Sequence, residues 1–546
     1  MRLPSFFLLL FLYSGISAQV DRYPYIQQPT ETSALVAWRT ANANIGTLSW
    51  GTSPGSLTNS MTDVSPVQSH DFTISGLQPN TQYYYQVTNA AGFSSSVEHF
   101  WTAKPGSVSA VNFLHYGDCG YDNNPQNDLA DVMEQEDVDF ALVAGDVDQG
   151  TGDNYDNVFF KVYKNMLARD CHYTAIGNHD IIANNGADFF DAFYQPTNNP
   201  QGVENYYSFT WGNAKFICLD SNIDYAPGSD QHNFLLDELR CNDHQWVFVF
   251  CHHPPWTNAW DPLYYIPLQP WFEYDGEDDM RTEIVPYLEQ YGVDFMLNGH
   301  SHCYQRGSLN GVEYVISGGA GSPILDDRTC NTFPGFNSCA PNIQQEIFVH
   351  QFVRFELRGD TATYRCIDIN GDVRDSVTLI KSWTPYSANL SATNAVGQGT
   401  NDGSATAAAT GPHPPYTYQW SNGGSTGTIN NLAPGTYHVT ITSDLGCERV
   451  DSVVVGVGVG VSGPFEPISV TVQPNPFTEG TQLSFPNPLQ EAFNLEIFDI
   501  DGKRMRRIEG ITGESIYLDR GNLPAGIYLY QLSGTGKAQT GKILIQ

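Results

Sequence analysis

The sequence predicts a multidomain protein: an α/β domain preceded by a β-sandwich and followed by two small β-sandwich domains. Three observations predict it. The chain has 546 residues, too many for one hydrophobic core. Short β-prone runs punctuated by turn residues fill 20–103 and return after 388. Between them, from 111 to about 380, apolar runs are spaced by longer, partly helical stretches, which is an α/β pattern.

Taken in order, the chain begins MRLPSFFLLLFLYSGISA. Arg2 gives a positive flank, Phe6 to Leu12 an apolar run, and Ser17-Ala18 small residues at a cleavage site, so 1–18 reads as a secretory signal peptide. The run is too short for a membrane anchor, and no later stretch is long enough to span. Val453 to Val461 is apolar but interrupted by glycine, and reads as strand or linker. In 20–103, "ALVAWRT", "GTLSWG", "HDFTISGL" and "QYYYQVTN" read as strands of a small sandwich. "GLQPNTQYYYQV" has the form of a tyrosine corner, with Leu77, Pro79 and Tyr83 in phase. The cluster Tyr83-Tyr84-Tyr85 is expected to pack in the core and corner rather than to form a sugar-binding face. "TAKPGS" (102–107) is a linker, the α/β domain occupies 108–382, and "SWTPYS" (382–387) closes it. Residues 388–456, poor in charge and rich in Gly, Thr, Ser and Asn, read as another small sandwich. Residues 465–546 read as a last β unit, with "SVTVQPNPF", "FNLEIFDIDGKRM", "LPAGIYLYQL" and "KILIQ".

The net charge is −34 and the isoelectric point about 4.5. This argues against a general nucleic-acid binder, which needs a basic surface to displace counterions. It leaves room for a small phosphorylated substrate, because bound metal ions reverse a local field. Ten cysteines in an exported chain permit disulfides, and none lies in a paired CxxC zinc arrangement. Cys330 and Cys339 bracket a loop rich in Asn, Pro and Gly and are the expected pair.

Five apolar runs in the α/β region end alike. "VNFLHYGDCG" ends at Asp118, "DFALVAGDVD" at Asp146, and "YTAIGNHD" at Asn178-His179. "WVFVFCHHPP" ends at His252-His253, and "VDFMLNGHSH" at His300 and His302. Each run has the length of a buried strand, and in open α/β sheets ligands sit beyond the carboxyl ends of strands. These side chains are therefore expected on one sheet edge. Glycine precedes Asp118, Asp146, Asn178 and His300, allowing sharp turns and close approach. Carboxylates, an amide oxygen and neutral imidazoles suit Zn, Mn and Fe. Asp118, Asp146, Asn178, His252, His300 and His302 make six donors, more than one open catalytic ion needs. Asp146 is the natural bridge between two ions about 3.5–4 Å apart, a pair suited to in-line displacement at phosphorus. His179 need not be a ligand; it can point at substrate, with Asp180 as its orienting partner.

The order GD…GD…GNHD…HH…GHSH resembles the calcineurin-like metallophosphoesterase superfamily. The β-sandwich before it, opening "RYPYIQQPTETSALVAWRT", looks like the purple acid phosphatase branch. The resemblance covers about 20–380. It implies a fibronectin III-like domain, then an α/β sandwich of two mixed β-sheets flanked by helices. It also implies that Asp118 and His302 hold one metal, that Asp146 bridges, and that Asn178, His252 and His300 hold the other. His179 then contacts the substrate phosphate, and His253 faces the substrate as acid or orienter. One position departs. The purple enzymes have a tyrosine ligand three residues after the bridging aspartate, and that place is Gln149. Glutamine supplies no phenolate, so a ferric-tyrosinate centre is not expected, and Tyr155 reaches that place only through a rearranged loop. The two ions remain open among Fe, Zn and Mn. Residues 388–456 resemble an SprB-type repeat, and 465–546 a type IX secretion sorting domain, on "VQPNPF" and "LPAGIYLYQL". That implies the type IX machinery as a partner and export through the periplasm and outer membrane, to the medium or the cell surface.

The function expected is a secreted phosphatase cleaving phosphomonoesters by attack of a metal-bound hydroxide on phosphorus. A phosphodiesterase with the same centre, and a surface adhesin with an inactive phosphatase fold, are the alternatives. The aromatic segment 254–279 is expected over the site, where its length sets substrate size, or as plain loop packing.

Overall fold

Alternating apolar and polar residues fold the first part of the chain into seven strands. They are β1 (Val20–Gln27), β2 (Ser33–Asn44), β3 (Gly46–Gly51), β4 (Asn59–Thr62), β5 (Val67–Ser75), β6 (Gln82–Asn89) and β7 (Glu98–Trp101). The computed structural model describes residues 20–149, 155–182, 184–260, 275–323, 325–326, 328–329, 339–397, 399–457 and 466–546. The signal peptide expected at 1–18, residues 261–274 of the aromatic segment, and Cys330 lie outside these residues. Cys339 is disulfide-bonded, and a second bridge joins Cys241 to Cys447. Among the described residues no helix is long and apolar enough to cross a membrane.

The seven strands form two sheets, β1-β2-β5 and β4-β3-β6-β7, as expected of a sandwich. Tyr83 closes its corner by accepting the Gln78 backbone N–H at 3.0 Å. Tyr83 and Tyr85 are buried, so the tyrosine cluster is mainly core. The Tyr85 hydroxyl reaches beyond it and donates to the Ala168 carbonyl at 2.6 Å. Arg22 does the same from β1, pairing with Asp156, donating to the Ala192 carbonyl and lying 4.0 Å above the Phe160 ring.

The next region adds β8 (Ala110–Tyr116), β9 (Phe140–Ala144), β10 (Cys171–Ala175), β11 (Tyr207–Trp211), β12 (Ala214–Cys218), β13 (Trp246–Phe250), β14 (Ala259–Trp260) and β15 (Phe295–Asn298). After these come β16 (Tyr304–Leu309), β17 (Val312–Ser317), β18 (Arg328–Thr329), β19 (Ile343–Ile347), β20 (Gln351–Arg358), β21 (Thr361–Asp368) and β22 (Val373–Ile380). Two mixed sheets result, in the orders β10-β9-β8-β20-β21-β22 and β11-β12-β13-β15-β17-β16-β19. β8, β9 and β10 are parallel in the first, and β12, β13, β15 and β17 in the second. Parallel strands need crossovers, and these carry the helices. The helices are short: α1 (Asn124–Met133), α2 (Lys164–Leu167), α3 (Ala187–Ala192) and α4 (Asp230–Arg240) come first, then Asp278–Glu283 and Val285–Gln290. Asn123 starts α1 by accepting the Gln126 N–H, and Ser229 starts α4 the same way with His232.

Phenylalanine packs the two sheets together. Phe140, Phe113 and Phe355 stack along the first sheet at 5.2 and 4.7 Å between ring centres. Phe216, Phe248 and Phe295 stack along the second at 4.9 and 4.7 Å. Across the gap the rows meet edge to face: Phe113 lies at 85° to Phe216 and 88° to Phe248. This is the arrangement favoured by ring quadrupoles, and it fixes both spacing and register. The strand ends that carry the polar motifs are thereby held on a rigid frame.

Residues 387–444 and 448–546 form a second compact unit. It holds the sheets Leu390–Thr393, Gly403–Ala407, Thr428–Leu432 and Thr417–Trp420, Gly435–Thr442, Glu448–Val455. After them come a five-stranded and a three-stranded sheet around Leu483, Phe493, Leu495 and Ile543.

Candidate metal centre

Each motif expected at a strand end lies at one, but the ends belong to two sheets rather than to the one sheet edge expected: β8, β9 and β10 lie in the first sheet, and β13 and β15 in the second, because the chain splits its parallel strands between two packed sheets. β8 runs into Gly117-Asp118, β9 into Gly145-Asp146, and β10 into Gly177-Asn178. β13 runs into His252-His253, and β15 into Gly299-His300. Asp118, Asp146 and His300 adopt left-handed backbone angles, with φ of 59°, 53° and 65°. Such strain in non-glycine residues persists only where surrounding structure enforces it. The preceding glycines serve mainly as space. A Cβ on Gly177 would sit 2.1 Å from Oδ1 of Asp146, and one on Gly299 would sit 2.7 Å from Oδ2 of Asp118. Gly145 supplies both, with φ of 81° and 2.7 Å of clearance to Nδ1 of His252.

All six expected donors converge. Ligand atoms of Asp118, Asp146 and His252 lie within 4.8 Å of one another, and so do those of His252, His253 and His300. His252 turns Nδ1 to the Ala144 carbonyl at 2.6 Å, which leaves Nε2 for the site. That Nε2 lies 2.8 Å from Oδ1 of Asn178, 3.2 Å from Nδ1 of His300 and 3.4 Å from Oδ2 of Asp146. His302 has Nδ1 at 2.8 Å from Ser322 Oγ and Nε2 at 3.6 Å from Oδ1 of Asp118. Asp118 Oδ1 is buried and receives no hydrogen bond among the described residues, while Oδ2 takes the His300 N–H at 2.8 Å. A buried carboxylate oxygen without a donor is costly unless a cation meets it. The donor set therefore fits metal ions.

The electrostatics agree. Burial, with Asp146 beside it, pushes Asp118 well above the usual carboxylate range. Burial works against a charged His252, yet the Asp146 and then the Asp118 carboxylates lift it to about 10. Without ions, a proton on His252 is the cation these carboxylates find. Burial and the crowd of other imidazoles hold His300 well below its ordinary range. Burial, then His252, brings His253 to about 3. Neutral imidazole is the form that binds metals.

His179 is half-buried on the same turn as Asn178. Its N–H donates to Oδ1 of Asp146 at 2.9 Å, and its Nε2 is 4.0 Å from Oδ2. Asp180 does not take the orienting role expected of it. Its carboxylate accepts the N–H groups of Gly177, Asp146 and Asp148, at 2.9, 2.9 and 3.1 Å, and the Tyr155 hydroxyl at 3.2 Å. It braces the Asp146 turn instead, because three backbone donors point at it. Burial, then Asp146, raises it to about 7. Tyr155 is thus spoken for by Asp180, and Gln149 has a buried Nε2 without a hydrogen-bond partner among the described residues.

One strand end was missed. β12 runs into Leu219-Asp220-Ser221-Asn222, where Ser221 Oγ lies 2.8 Å from Nδ1 of His253. The apolar run "KFICL" before "DSN" was a visible signal, but it lacked the glycine or histidine that marked the others. Asp326, which accepts the His302 N–H at 2.8 Å, had no such signal.

Residues 111–304 match the family model of calcineurin-like phosphoesterases, and 23–102 that of the purple acid phosphatase N-terminal domain. Residues 390–425 match the SprB repeat, and 471–546 a secretion system C-terminal sorting domain. Purple acid phosphatase 15 of Arabidopsis thaliana is 24% identical over 301 residues, covering 46% of this chain and 53% of the relative. Probable purple acid phosphatase 20 of the same plant is 26% identical over 259 residues, covering 44% and 55%. The chain spans about half the length of these curated relatives. Purple acid phosphatase PPD1 from yellow lupin (Lupinus luteus) seeds superimposes with a TM-score of 0.54 at 19% identity, covering 66% of this chain and 74% of that one. The fold is therefore a purple acid phosphatase-like metallophosphoesterase fold, as the motifs implied.

Proposed function

We propose that this chain, with its purple acid phosphatase-like fold, is an exported metal-dependent hydrolase of small phosphomonoesters. In this reading Asp118 and His302 hold one ion, Asn178, His252 and His300 hold the other, and Asp146 is shared. Bound there, two ions supply Lewis acidity and a water of lowered pKa. The chain's own groups do the rest. The Ala144 carbonyl keeps the His252 Nε2 lone pair available. Asn178 donates a neutral oxygen, which limits the negative charge a phosphate must approach. His179, partly exposed beside Asp146, hydrogen-bonds a phosphoryl oxygen, and His253 orients the ester oxygen.

The observation that carries this reading is the approach of ligand atoms of Asp118, Asp146 and His252 to within 4.8 Å of one another, with Asp118 Oδ1 lacking a donor among the described residues. Fe, Zn and Mn suit the donors, and Gln149 argues against a ferric-tyrosinate pair. The sorting-domain match supports the type IX machinery as partner and a secreted or cell-surface location. The domain limits 20–103, 108–382, 388–456 and 465–546 belong to the same proposal.

The test is turnover of p-nitrophenyl phosphate and of bis(p-nitrophenyl) phosphate by purified protein loaded in turn with Zn, Mn and Fe. Faster cleavage of the monoester supports a phosphatase, and faster cleavage of the diester replaces it with a phosphodiesterase. Protein that carries two ions and cleaves neither contradicts the enzyme and favours an inactive adhesin.

A further inference from the structure

We infer that Ser221 is a positioning residue, which holds the His253 ring so that its Nε2 faces the substrate ester oxygen. The inference rests on the phosphatase reading above.

Ser221 Oγ makes two contacts with one residue. It lies 2.8 Å from Nδ1 of His253 and accepts the His253 backbone N–H at 3.2 Å. The backbone bond uses one acceptor lone pair of Oγ, and the hydroxyl hydrogen stays available for Nδ1. In the proposed arrangement Ser221 donates to Nδ1 and the ring carries its hydrogen on Nε2, the nitrogen that makes no hydrogen bond among the described residues. A neutral imidazole in this state is a hydrogen-bond donor pointing away from Ser221. Asn298 pins the other side of the residue, donating to the His253 carbonyl at 2.9 Å.

The serine itself is held rigidly. Asp220 Oδ1 accepts the Asn222 N–H at 2.8 Å and its amide at 2.9 Å, while Oδ2 accepts the Asn205 amide at 2.8 Å. The Asn222 amide also donates to the Ile176 carbonyl at 3.1 Å, two residues before Asn178. The Asp220-Ser221-Asn222 turn therefore ties the Asn178 loop to the His253 loop. His253 sits where a donor is useful: its ring centre is 4.4 Å from that of His300 and 4.8 Å from that of His252. Positioned donors act on charge developing in the transition state, so losing the orientation slows turnover more than binding.

The experiment uses the full chain, loaded with Zn or Mn, and two esters: p-nitrophenyl phosphate and phenyl phosphate, whose oxygen departs less readily. Ser221→Ala is expected to lower kcat on phenyl phosphate about tenfold, with a smaller loss on p-nitrophenyl phosphate and KM within about twofold. Ion content and melting temperature stay as in the wild type. Ser221→Thr, which keeps the hydroxyl, recovers most of the rate. The double variant Ser221→Ala/His253→Asn is no slower than His253→Asn alone, because the serine acts only through that ring. Wild-type kcat in Ser221→Ala on both esters overturns the inference and leaves the phosphatase reading standing, as does additive loss in the double variant. Loss of ions from Ser221→Ala also overturns it, by assigning Ser221 to the metal centre. An inactive wild type with two ions overturns the phosphatase reading itself.

Discussion

Nε2 of His252 lies 3.4 Å from Oδ2 of Asp146, and both side chains are buried. In the ion-free protein this pair shares a proton that a metal must displace. Burial disfavours that proton, but Asp146 and Asp118 outweigh it and lift His252 from 6.5 to about 10. Metal affinity should therefore rise with pH, by about tenfold per unit from this proton alone, between about pH 6 and 8. The stability of the ion-free fold runs the other way. The contribution of His252 is complete below 6.5 and is lost as pH rises through about 10. Chelator competition with Zn across this range checks the first slope, and a flat affinity contradicts it.

Gly177→Ala should empty the centre without replacing any ligand, by displacing Asp146. The added Cβ would lie 2.1 Å from Oδ1 and 2.3 Å from the backbone N of Asp146. Neither atom can yield cheaply, because Asp180 holds that N–H. A loss of about 1–3 kcal/mol in stability and most of the bound metal is expected, read by melting temperature and elemental analysis. Retention of two ions per chain contradicts the packing argument.

Arg22→Met should destabilise the fold although Arg22 lies on β1, far in sequence from the site. Arg22 and Asp156 have side-chain exposures of 6% and 22%, so removing one strands the other in a poorly solvated place. About 3–5 kcal/mol is expected, seen as a fall in the first unfolding transition. Restoring charge with Arg22→Lys should recover only part, since the single lysine nitrogen cannot reproduce the guanidinium fork, whose Nε pairs with Asp156 while Nη1 reaches the Ala192 carbonyl. An unchanged transition contradicts this.

Iron-loaded protein should lack a tyrosinate absorption band, because Gln149 stands where the purple enzymes have tyrosine and the Tyr155 hydroxyl serves Asp180. Gln149→Tyr should create the band. A visible band in the wild type that disappears in Tyr155→Phe contradicts both statements.

The legible part of this molecule was its strand ends. Apolar runs before Asp118, Asp146, Asn178, His252 and His300 announced buried strands whose carboxyl ends carry the site, but not that β8, β9 and β10 lie in one sheet and β13 and β15 in the other. Roles carried by hydrogen bonds were harder. Asp180 is adjacent to His179, which suggested partnership, but its direction is set by backbone N–H groups that sequence does not show. Ser221 acts through contact with a residue from another strand, and its own motif is ordinary turn chemistry. Pairings at long range were illegible for the same reason. Cys241 and Cys447 are 206 positions apart, and nothing local to either marks the other. β20 inserts beside β8 in the first sheet and stacks Phe355 on Phe113, a pairing across more than two hundred positions that no run of residues announces.

The most direct measurement is an anomalous-scattering map of crystals loaded with Mn or Zn. Two peaks are expected about 3.5–4 Å apart, one beside Asp118 and His302, one beside Asn178, His252 and His300, with Asp146 between them. A single peak, or none within bonding distance of Asp146, would contradict this.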